Sequence, residues 1–149
     1  MINIPLFTAI CSWCVAQLSK TVISVIKLHR FDFVQLWASG GMPSSHSSTV
    51  TALATACGYV YGFESGFFAI SAILALVVMY DAAGVRRAVG QQARILNRIT
   101  VNLAKKEPVE ASDLRELVGH TPLQVFVGGL MGILFGLLVP YFFGVPYAN

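Results

Sequence analysis

The sequence predicts an all-α integral membrane protein, a helical bundle of about four transmembrane helices with a cytoplasmic helical extension of the third. The prediction depends on composition, hydropathy and the length of the apolar stretches. Of the 149 residues, 56% are hydrophobic and only 11% are charged, and the mean hydropathy is +0.70. A soluble domain carries about a quarter charged residues, so this deficit indicates burial in a bilayer. The length favours one domain over residues 1–149.

Four apolar stretches have about the 17–25 residues that a membrane-spanning helix needs. They are residues 3–26, 46–62, 66–84 and 122–143. The segment Gly62-Phe-Glu-Ser-Gly66 predicts a tight turn, so the second and third stretches should form a helical hairpin. Residues 86–106 keep a helical pattern with apolar positions on one face and arginines on the other. This pattern predicts that the third helix continues as a cytoplasmic or interfacial helix.

The basic residues predict the orientation of the chain. All ten Lys and Arg lie in two zones, from Lys20 to Arg30 and from Arg86 to Arg115. The positive-inside rule therefore places both zones in the cytoplasm and both termini outside the cell membrane. Because these residues flank apolar helices and do not form a basic face on a soluble domain, a nucleic-acid partner is not expected.

The turn Pro43-Ser44-Ser45-His46 precedes the second apolar stretch. Proline and serine are favoured at the first positions of a helix, where backbone N–H groups have no intrahelical acceptor. These N–H groups and the positive end of the helix dipole form a site for an anion. Ser44 and Ser45 are therefore candidate phosphate-binding residues, and His46 stands beside them.

A second turn of this kind precedes the fourth stretch, in Gly119-His120-Thr121-Pro122. Thr121 is a natural N-cap and Pro122 a natural first helical residue. His120 therefore stands beside a helix start in the same way as His46. The predicted topology places both histidines at the cytoplasmic end.

Other unusual polar residues converge on the same end of the predicted bundle. Lys20 lies near the end of the first helix, and Asp81 lies near the end of the third, followed by Arg86 and Arg87. Charges at membrane depth are costly, so they usually pair or serve a function. Lys20 with either arginine could hold the oxygens of a phosphate group. One histidine could then attack phosphorus while the other protonates the leaving oxygen, which requires no metal and no other cofactor.

Each of these residues also has a purely structural interpretation. The histidines and serines could be helix caps, and Arg86 and Arg87 could be topology determinants. Lys20 could extend to the headgroups, and Asp81 could pair with Arg86 or Lys20. The convergence of four helix ends that carry two histidines, several cations and a carboxylate favours a functional site.

Three stretches carry a resemblance to a known family. They are Gly40-Gly-Met-Pro-Ser-Ser-His46, Met79-Tyr-Asp-Ala-Ala-Gly-Val-Arg-Arg87 and Leu117-Val-Gly-His-Thr-Pro-Leu123. The first resembles the Pro-Ser-Gly-His motif of the type 2 phosphatidic acid phosphatase superfamily. Together they resemble a small divergent branch of it, which is related to acid phosphatase and vanadium-dependent haloperoxidase. The resemblance covers nearly the whole chain.

The resemblance implies roles for individual residues. His120 corresponds to the nucleophile that forms a phosphohistidine, and His46 to the general acid for the leaving alcohol. Ser45 and the neighbouring backbone N–H groups correspond to the phosphate-binding turn. Lys20 is the best match to the first conserved cation, with Lys27 or Arg30 as candidates for the second.

The sequence departs from the superfamily pattern at several positions. A Ser-Arg pair precedes the nucleophile in the superfamily, but Asp113 and Leu114 occupy those places here. Arg86 or Arg87 is then expected to supply the guanidinium. The superfamily has an aspartate four residues after the nucleophile, where this chain has Gln124. Asp81 and Glu116 are candidates to replace that carboxylate.

The resemblance implies a membrane lipid-phosphate phosphatase. Phosphatidate, phosphatidylglycerophosphate and isoprenyl phosphates fit as substrates, and a homodimer is a further hypothesis because the bundle is small. The alternative is a non-catalytic membrane scaffold that binds phospholipid or phosphate without turnover, which the change to Gln124 would explain. A small transporter is a weaker alternative, because the polar residues cluster at one end and not at the bilayer midplane.

Overall fold

A computed structural model of the chain describes residues 2–28, 41–104 and 120–148. These residues form five α-helices: α1 (Ile4–Leu28), α2 (Ser45–Tyr61), α3 (Gly66–Ala83), α4 (Val85–Ala104) and α5 (Pro122–Phe142). Each bound lies within two residues of the position that the sequence predicted. The all-α fold class is therefore confirmed for the described part of the chain.

Local sequence sets the start of three of these helices. Ser44, Ser65 and Thr121 are the N-caps of α2, α3 and α5, and each side chain accepts a hydrogen bond from the backbone N–H three residues later. Pro122 is the first residue of α5, where its missing N–H costs nothing. The turn between Tyr61 and Gly66 joins α2 and α3 as the predicted hairpin.

The helices bury small side chains and expose large apolar ones. The buried apolar residues include eight alanines, with Cys57 and Val125, and the buried hydroxyl residues include Ser12, Ser47 and Ser48. The exposed side chains are mainly leucine, isoleucine, valine and phenylalanine; Ile70, for example, is 73% exposed. Such a surface is stable in lipid and would aggregate in water. The bundle is therefore built for a bilayer.

Fewer described helices satisfy the requirements of a membrane span than the four predicted. Three stretches are long and apolar enough by length and composition: Ile4–Ile26, Pro122–Phe142, and Gly66–Val101, which begins with α3 and continues into α4. α2 has 17 residues and is rich in Ser, Thr and Ala. Its composition fits its place in the bundle, because α1, α3 and α5 all pack against it. Protein, and not lipid, therefore surrounds most of α2.

The parallel helices α2 and α5 form the closest pair in the described bundle. Gly128, Gly132 and Gly136 lie one turn apart on α5, facing α2. A Cβ atom at Gly132 would collide with the Ser48 carbonyl, and one at Gly128 would collide with the Ser44 carbonyl. The Thr51 hydroxyl donates a hydrogen bond of 3.1 Å to the Gly129 carbonyl across this seam. Small residues at this spacing let two membrane helices approach closely.

α1 and α3 run antiparallel to this central pair. The Ser12 hydroxyl donates to the Ser48 carbonyl at 3.2 Å, and farther along α1 Lys20 reaches the first residue of α2. At the opposite end of the bundle, the rings of Phe7 and Phe143 meet with centroids 5.3 Å apart. The described ends of the chain therefore lie together, away from the starts of α2 and α5.

A single residue, Gly84, separates α4 from α3. Among the described helices, α4 packs only against α3. Val89, Leu96 and Ile99 lie near one face and are half exposed, whereas Arg98 lies on the other side. The predicted helical extension of α3 is therefore present. Whether it lies in the cytoplasm stays a prediction.

Candidate functional site

The starts of α2 and α5 bring the two motif histidines together. His46 lies in the first turn of α2, and His120 immediately precedes the N-cap of α5. Their ring centroids are 6.0 Å apart, with an angle of 60° between the ring planes. Residues that are 74 positions apart in the chain therefore lie side by side at one end of the bundle.

Backbone hydrogen bonds hold the elements around the histidines. The His120 N–H donates to the Ala82 carbonyl at 3.2 Å, which ties the approach to α5 to the last turn of α3. The Ser44 N–H donates to the Gln124 carbonyl at 3.1 Å, which ties the N-cap of α2 to the first turn of α5. Contacts among α2, α3 and α5 thus fix the backbone positions beside both histidines.

The Gln124 side chain sets the protonation of the His120 ring. Gln124 Oε1 accepts a hydrogen bond of 3.0 Å from the Thr121 backbone N–H, which can only donate, so this atom is the amide oxygen. The same oxygen lies 3.3 Å from His120 Nδ1. Because a carbonyl oxygen can only accept, Nδ1 must carry the proton. In the neutral ring the lone pair is then on Nε2.

His120 Nε2 is buried and has no hydrogen-bond partner among the described residues. The whole residue is 1% exposed. Burial lowers the pKa of His120 from its ordinary value of 6.5, and the charges of Lys20 and His46 lower it further. The Gln124 contact and the nearby Gly41 backbone act in the opposite direction, but the net shift is downward. The geometry therefore holds a neutral imidazole with its lone pair available.

Lys20 supplies a cation at the same end of the bundle. Its ammonium donates a hydrogen bond of 2.9 Å to the Ser45 hydroxyl, and the residue is only 5% exposed. The Gly41 backbone, which has a φ of +95°, lies against the Lys20 side chain. A Cβ atom added at Gly41 would be 3.8 Å from the nearest Lys20 methylene carbon. Lys20 therefore does not extend to the headgroups but is held beside the phosphate-binding turn that the sequence predicted.

Ser44 is fully occupied as a cap. Its hydroxyl accepts from the Ser47 N–H at 3.3 Å and from the Ser47 hydroxyl at 3.0 Å, and the residue is 0% exposed. Ser45 instead presents its hydroxyl to Lys20. Of the two serines, Ser45 is the one whose side chain belongs to the cationic side of the site.

The structure locates the other predicted residues less completely. Asp81 lies in the last turn of α3, half buried, next to the carbonyl of Ala82 that accepts from His120. The remaining candidates fall outside the described side chains: Arg86 and Arg87 in the first turn of α4, and Lys27 in the last turn of α1. Arg30 and Glu116 lie outside the described residues altogether.

Two features of the site were missed in the sequence. Thr121-x-x-Gln124 is a capping box, since each side chain bonds the other residue's backbone N–H. This local pattern was readable and would have given Gln124 a fixed position beside His120. The contacts of Gly41 and Ala82 with the His120 region had no such signal, because they join distant parts of the chain.

Comparisons with known proteins show the family to which the chain belongs. A family model described as the Divergent PAP2 family matches residues 1–135. An uncharacterized membrane protein of Bacillus subtilis (strain 168), YuiD, is 43% identical over 152 residues, which cover 95% of this chain and 96% of that protein. No solved structure matches the chain. The match over most of the chain identifies this membrane protein as a member of the divergent PAP2 family.

Proposed function

We propose that this protein is a membrane lipid-phosphate phosphatase that hydrolyses a phosphomonoester or diphosphate through a phosphohistidine on His120. The observation that carries the proposal is the state of the His120 ring. Gln124 holds the proton on Nδ1, so the lone pair is on the buried Nε2 atom. A second imidazole, that of His46, lies 6.0 Å away between ring centroids. The reaction requires two such groups, one as the nucleophile and one as the general acid.

In the first step, the lone pair of His120 Nε2 attacks phosphorus and forms a P–N bond. The bond between phosphorus and the leaving oxygen breaks, and protonated His46 donates its proton to that oxygen. In the second step, a water molecule attacks phosphorus while neutral His46 accepts its proton. The P–N bond then breaks, which releases inorganic phosphate and restores the lone pair on Nε2.

The surrounding charges favour a bound phosphate. Lys20 offers an ammonium group beside Ser45, and the N-termini of α2 and α5 point their positive dipole ends toward the same volume. Because the two helices are parallel and tied together at Ser44 and Gln124, their dipoles act in the same direction. Arg86 or Arg87 remains the candidate for a further cation.

The bundle surface supports a lipid as the substrate. Large apolar side chains cover its exterior, so a substrate reaches the site most directly from the bilayer. Phosphatidate, phosphatidylglycerophosphate and isoprenyl phosphates all present a phosphate on a hydrocarbon anchor. The end of α1 and the start of α4, which border the two basic zones of the sequence, lie at the histidine end, and under the positive-inside rule this favours a site at the cytoplasmic face.

One observation favours a second candidate, a scaffold that binds phosphate without turnover. Gln124 is neutral and stabilises the cationic imidazole of a phosphohistidine less than a carboxylate would. Such a protein would keep Lys20, Ser45 and the two histidines and would hold a phospholipid headgroup beside them.

The test is phosphate release by the purified protein in detergent, from a panel of lipid phosphates without added metal. His120→Ala and His46→Ala are compared with the wild type, and His29→Ala, which lies outside both motifs, is the matched control. We expect release by the wild type and the control only, and acid-labile phosphate on the wild-type protein after rapid quenching. Vanadate binding that depends on His120, without release from any lipid, would establish the scaffold instead.

A further inference from the structure

Helix α4 has two contrasting faces. Along one of them runs a row of large apolar side chains that are 45–56% exposed, here named the apolar stripe: Val85, Val89, Leu96 and Ile99. At 3.6 residues per turn, these four lie within about 80° of one another around the helix axis. Arg94 and Arg98 are exposed and lie on the opposite side, about 180° from the centre of the stripe.

The described helices leave the apolar stripe open. α3 is the one described helix that contacts α4. The buried side of α4 carries Gly90 and Ala93, which lie about 100° around the axis from the stripe. A continuous row of apolar side chains is unfavourable in water, and such a surface marks a place where a protein meets a membrane or another protein. The stripe therefore needs an apolar partner.

The length of the helical segment places α4 outside the hydrocarbon core. The apolar stretch that begins with α3 has 36 residues, which is about 54 Å of helix against a core of about 30 Å. α3 by itself has 18 residues and covers about 27 Å of that thickness. α4 also carries four arginines, whose transfer into the core would be costly. α4 therefore begins where the core ends.

Gly84 lets α4 leave the direction of α3. Its φ of −102° and ψ of −83° each differ by about 40° from the values of a regular α-helix. α4 is therefore a separate helix whose first residue, Val85, belongs to the apolar stripe and lies next to the end of a membrane span. The apolar surface nearest to the stripe is the acyl-chain region of the bilayer itself.

The charge of α4 selects the kind of lipid. Residues 85–104 contain four arginines and no Asp or Glu. The described residues that line an open cavity of about 330 Å³ on α4 include both exposed arginines: Gln91, Arg94, Ile95 and Arg98. Guanidinium groups bind phosphate oxygens at two points. The arginine face therefore complements anionic phospholipid headgroups.

We propose that α4 lies along the cytoplasmic surface of the bilayer, with its apolar stripe among the acyl chains and with Arg94 and Arg98 at the headgroups of anionic phospholipids. A helix of this kind is held by apolar burial and by electrostatic attraction together. The inference goes beyond the proposed function, because neither histidine and no substrate takes part in the attachment. It can therefore be tested whether or not the protein hydrolyses a lipid phosphate.

The first test measures which face of α4 meets lipid. The full chain, with its three cysteines replaced by alanine, carries a spin label at Leu96→Cys in the stripe or at Gln91→Cys on the polar side. It is reconstituted in vesicles of phosphatidylglycerol and phosphatidylcholine in equal parts. We expect the label at position 96 to collide mainly with oxygen, which dissolves in the bilayer, and the label at position 91 mainly with a water-soluble nickel chelate.

Three results of this test would overturn the proposal. Access of the nickel chelate to both positions would place α4 in water, and access of oxygen alone to both would place it across the bilayer. A label at position 96 that neither reagent reaches would show that protein covers the stripe.

The second test removes the charge while the label stays at position 96. Arg94→Gln with Arg98→Gln should lower the ratio of embedded to water-exposed label about fivefold for each charge removed. The matched control, Arg94→Lys with Arg98→Lys, keeps both charges and should stay within about twofold of the parent. In vesicles of phosphatidylcholine alone, all three proteins should give the same ratio. A glutamine variant that embeds as well as its parent in the anionic vesicles would refute recognition of anionic lipid.

Hydrogen exchange of the unmodified protein gives a reading that is independent of the cysteine replacements. Backbone amides of residues 85–104 should exchange more slowly in the anionic vesicles than in phosphatidylcholine, whereas those of α5 should not differ. Equal exchange of residues 85–104 in the two kinds of vesicle would contradict the proposal.

Discussion

Replacing Gln124 by methionine removes the oxygen that organises His120 while keeping a side chain of similar length. Two donors lose their acceptor: the Nδ1–H of His120 at 3.3 Å and the backbone N–H of Thr121 at 3.0 Å. The Thr121 N–H is at an exposed position and can bond water, so its loss should lower the free energy of unfolding by only roughly 0.5 kcal/mol. The His120 ring is buried and has no such substitute.

Leaving a buried donor without an acceptor costs about 1–3 kcal/mol. In the Gln124→Met protein the ring can avoid this cost by rotating or by moving its proton to Nε2. Either response removes the lone pair from the position that attacks phosphorus. We therefore expect kcat for lipid phosphate hydrolysis to fall about 5- to 150-fold, which corresponds to that range of free energy, with little change in thermal stability.

Gln124→Glu is the matched comparison, because a carboxylate can accept from both donors. Its negative charge should raise the pKa of His120 and stabilise the phosphohistidine cation. We expect kcat at or above the wild-type value, with the acidic limb of the pH–rate profile displaced to higher pH. Imidazole ¹⁵N chemical shifts report the protonated nitrogen directly. A Gln124→Met protein with wild-type kcat and an unchanged Nδ1–H signal would refute the reasoning.

Three further predictions concern packing, phosphate binding and pH. Gly132→Ala would press a methyl group into the backbone of α2, so it should lower the free energy of unfolding by about 1–3 kcal/mol. Thermal denaturation in detergent measures this loss. The control is Gly66→Ala, whose methyl group would meet nothing within 4 Å and whose stability should be close to that of the wild type. Lys20→Met should weaken inhibition by vanadate about tenfold or more by removing a charge-assisted contact, whereas wild-type inhibition in this variant would exclude Lys20 from phosphate binding. The lowered pKa of His120 means that, just below its ordinary value of 6.5, the unfolded chain binds a proton that the folded protein does not. The free energy of unfolding should therefore rise with pH up to about 6.5 and then level off, and His120→Ala should abolish that rise.

Features with a local cause could be predicted from the sequence. The starts of α3 and α5 depend on Ser65, Thr121 and Pro122, whose effects reach only one helical turn. The lengths of the apolar stretches predicted the helix lengths, because hydropathy is also a property of each segment alone. The central place of α2 was not predicted, because a 17-residue helix rich in small residues looks like a weak membrane span until its neighbours are known.

The residues of the site could be predicted from the sequence, but the contacts between them could not. His46 and His120 were chosen because each stands at a helix start, and their approach to 6.0 Å follows from the parallel pairing of α2 and α5. Nothing in the local sequence indicates that the Ala82 carbonyl accepts from His120 or that Gly41 packs on Lys20. Those contacts depend on how separate helices meet, which no single segment encodes.

The glycine seam has a consequence for how the protein responds to its membrane. Helices that contact lipid tilt or bend when bilayer thickness changes. α2 and α5 touch backbone to backbone at Gly128 and Gly132, so they should tilt as one rigid body. His46 and His120 are attached to the same end of that body and would keep their separation. Membranes of different thickness should therefore change how a lipid enters, while the distance between the two imidazoles stays constant.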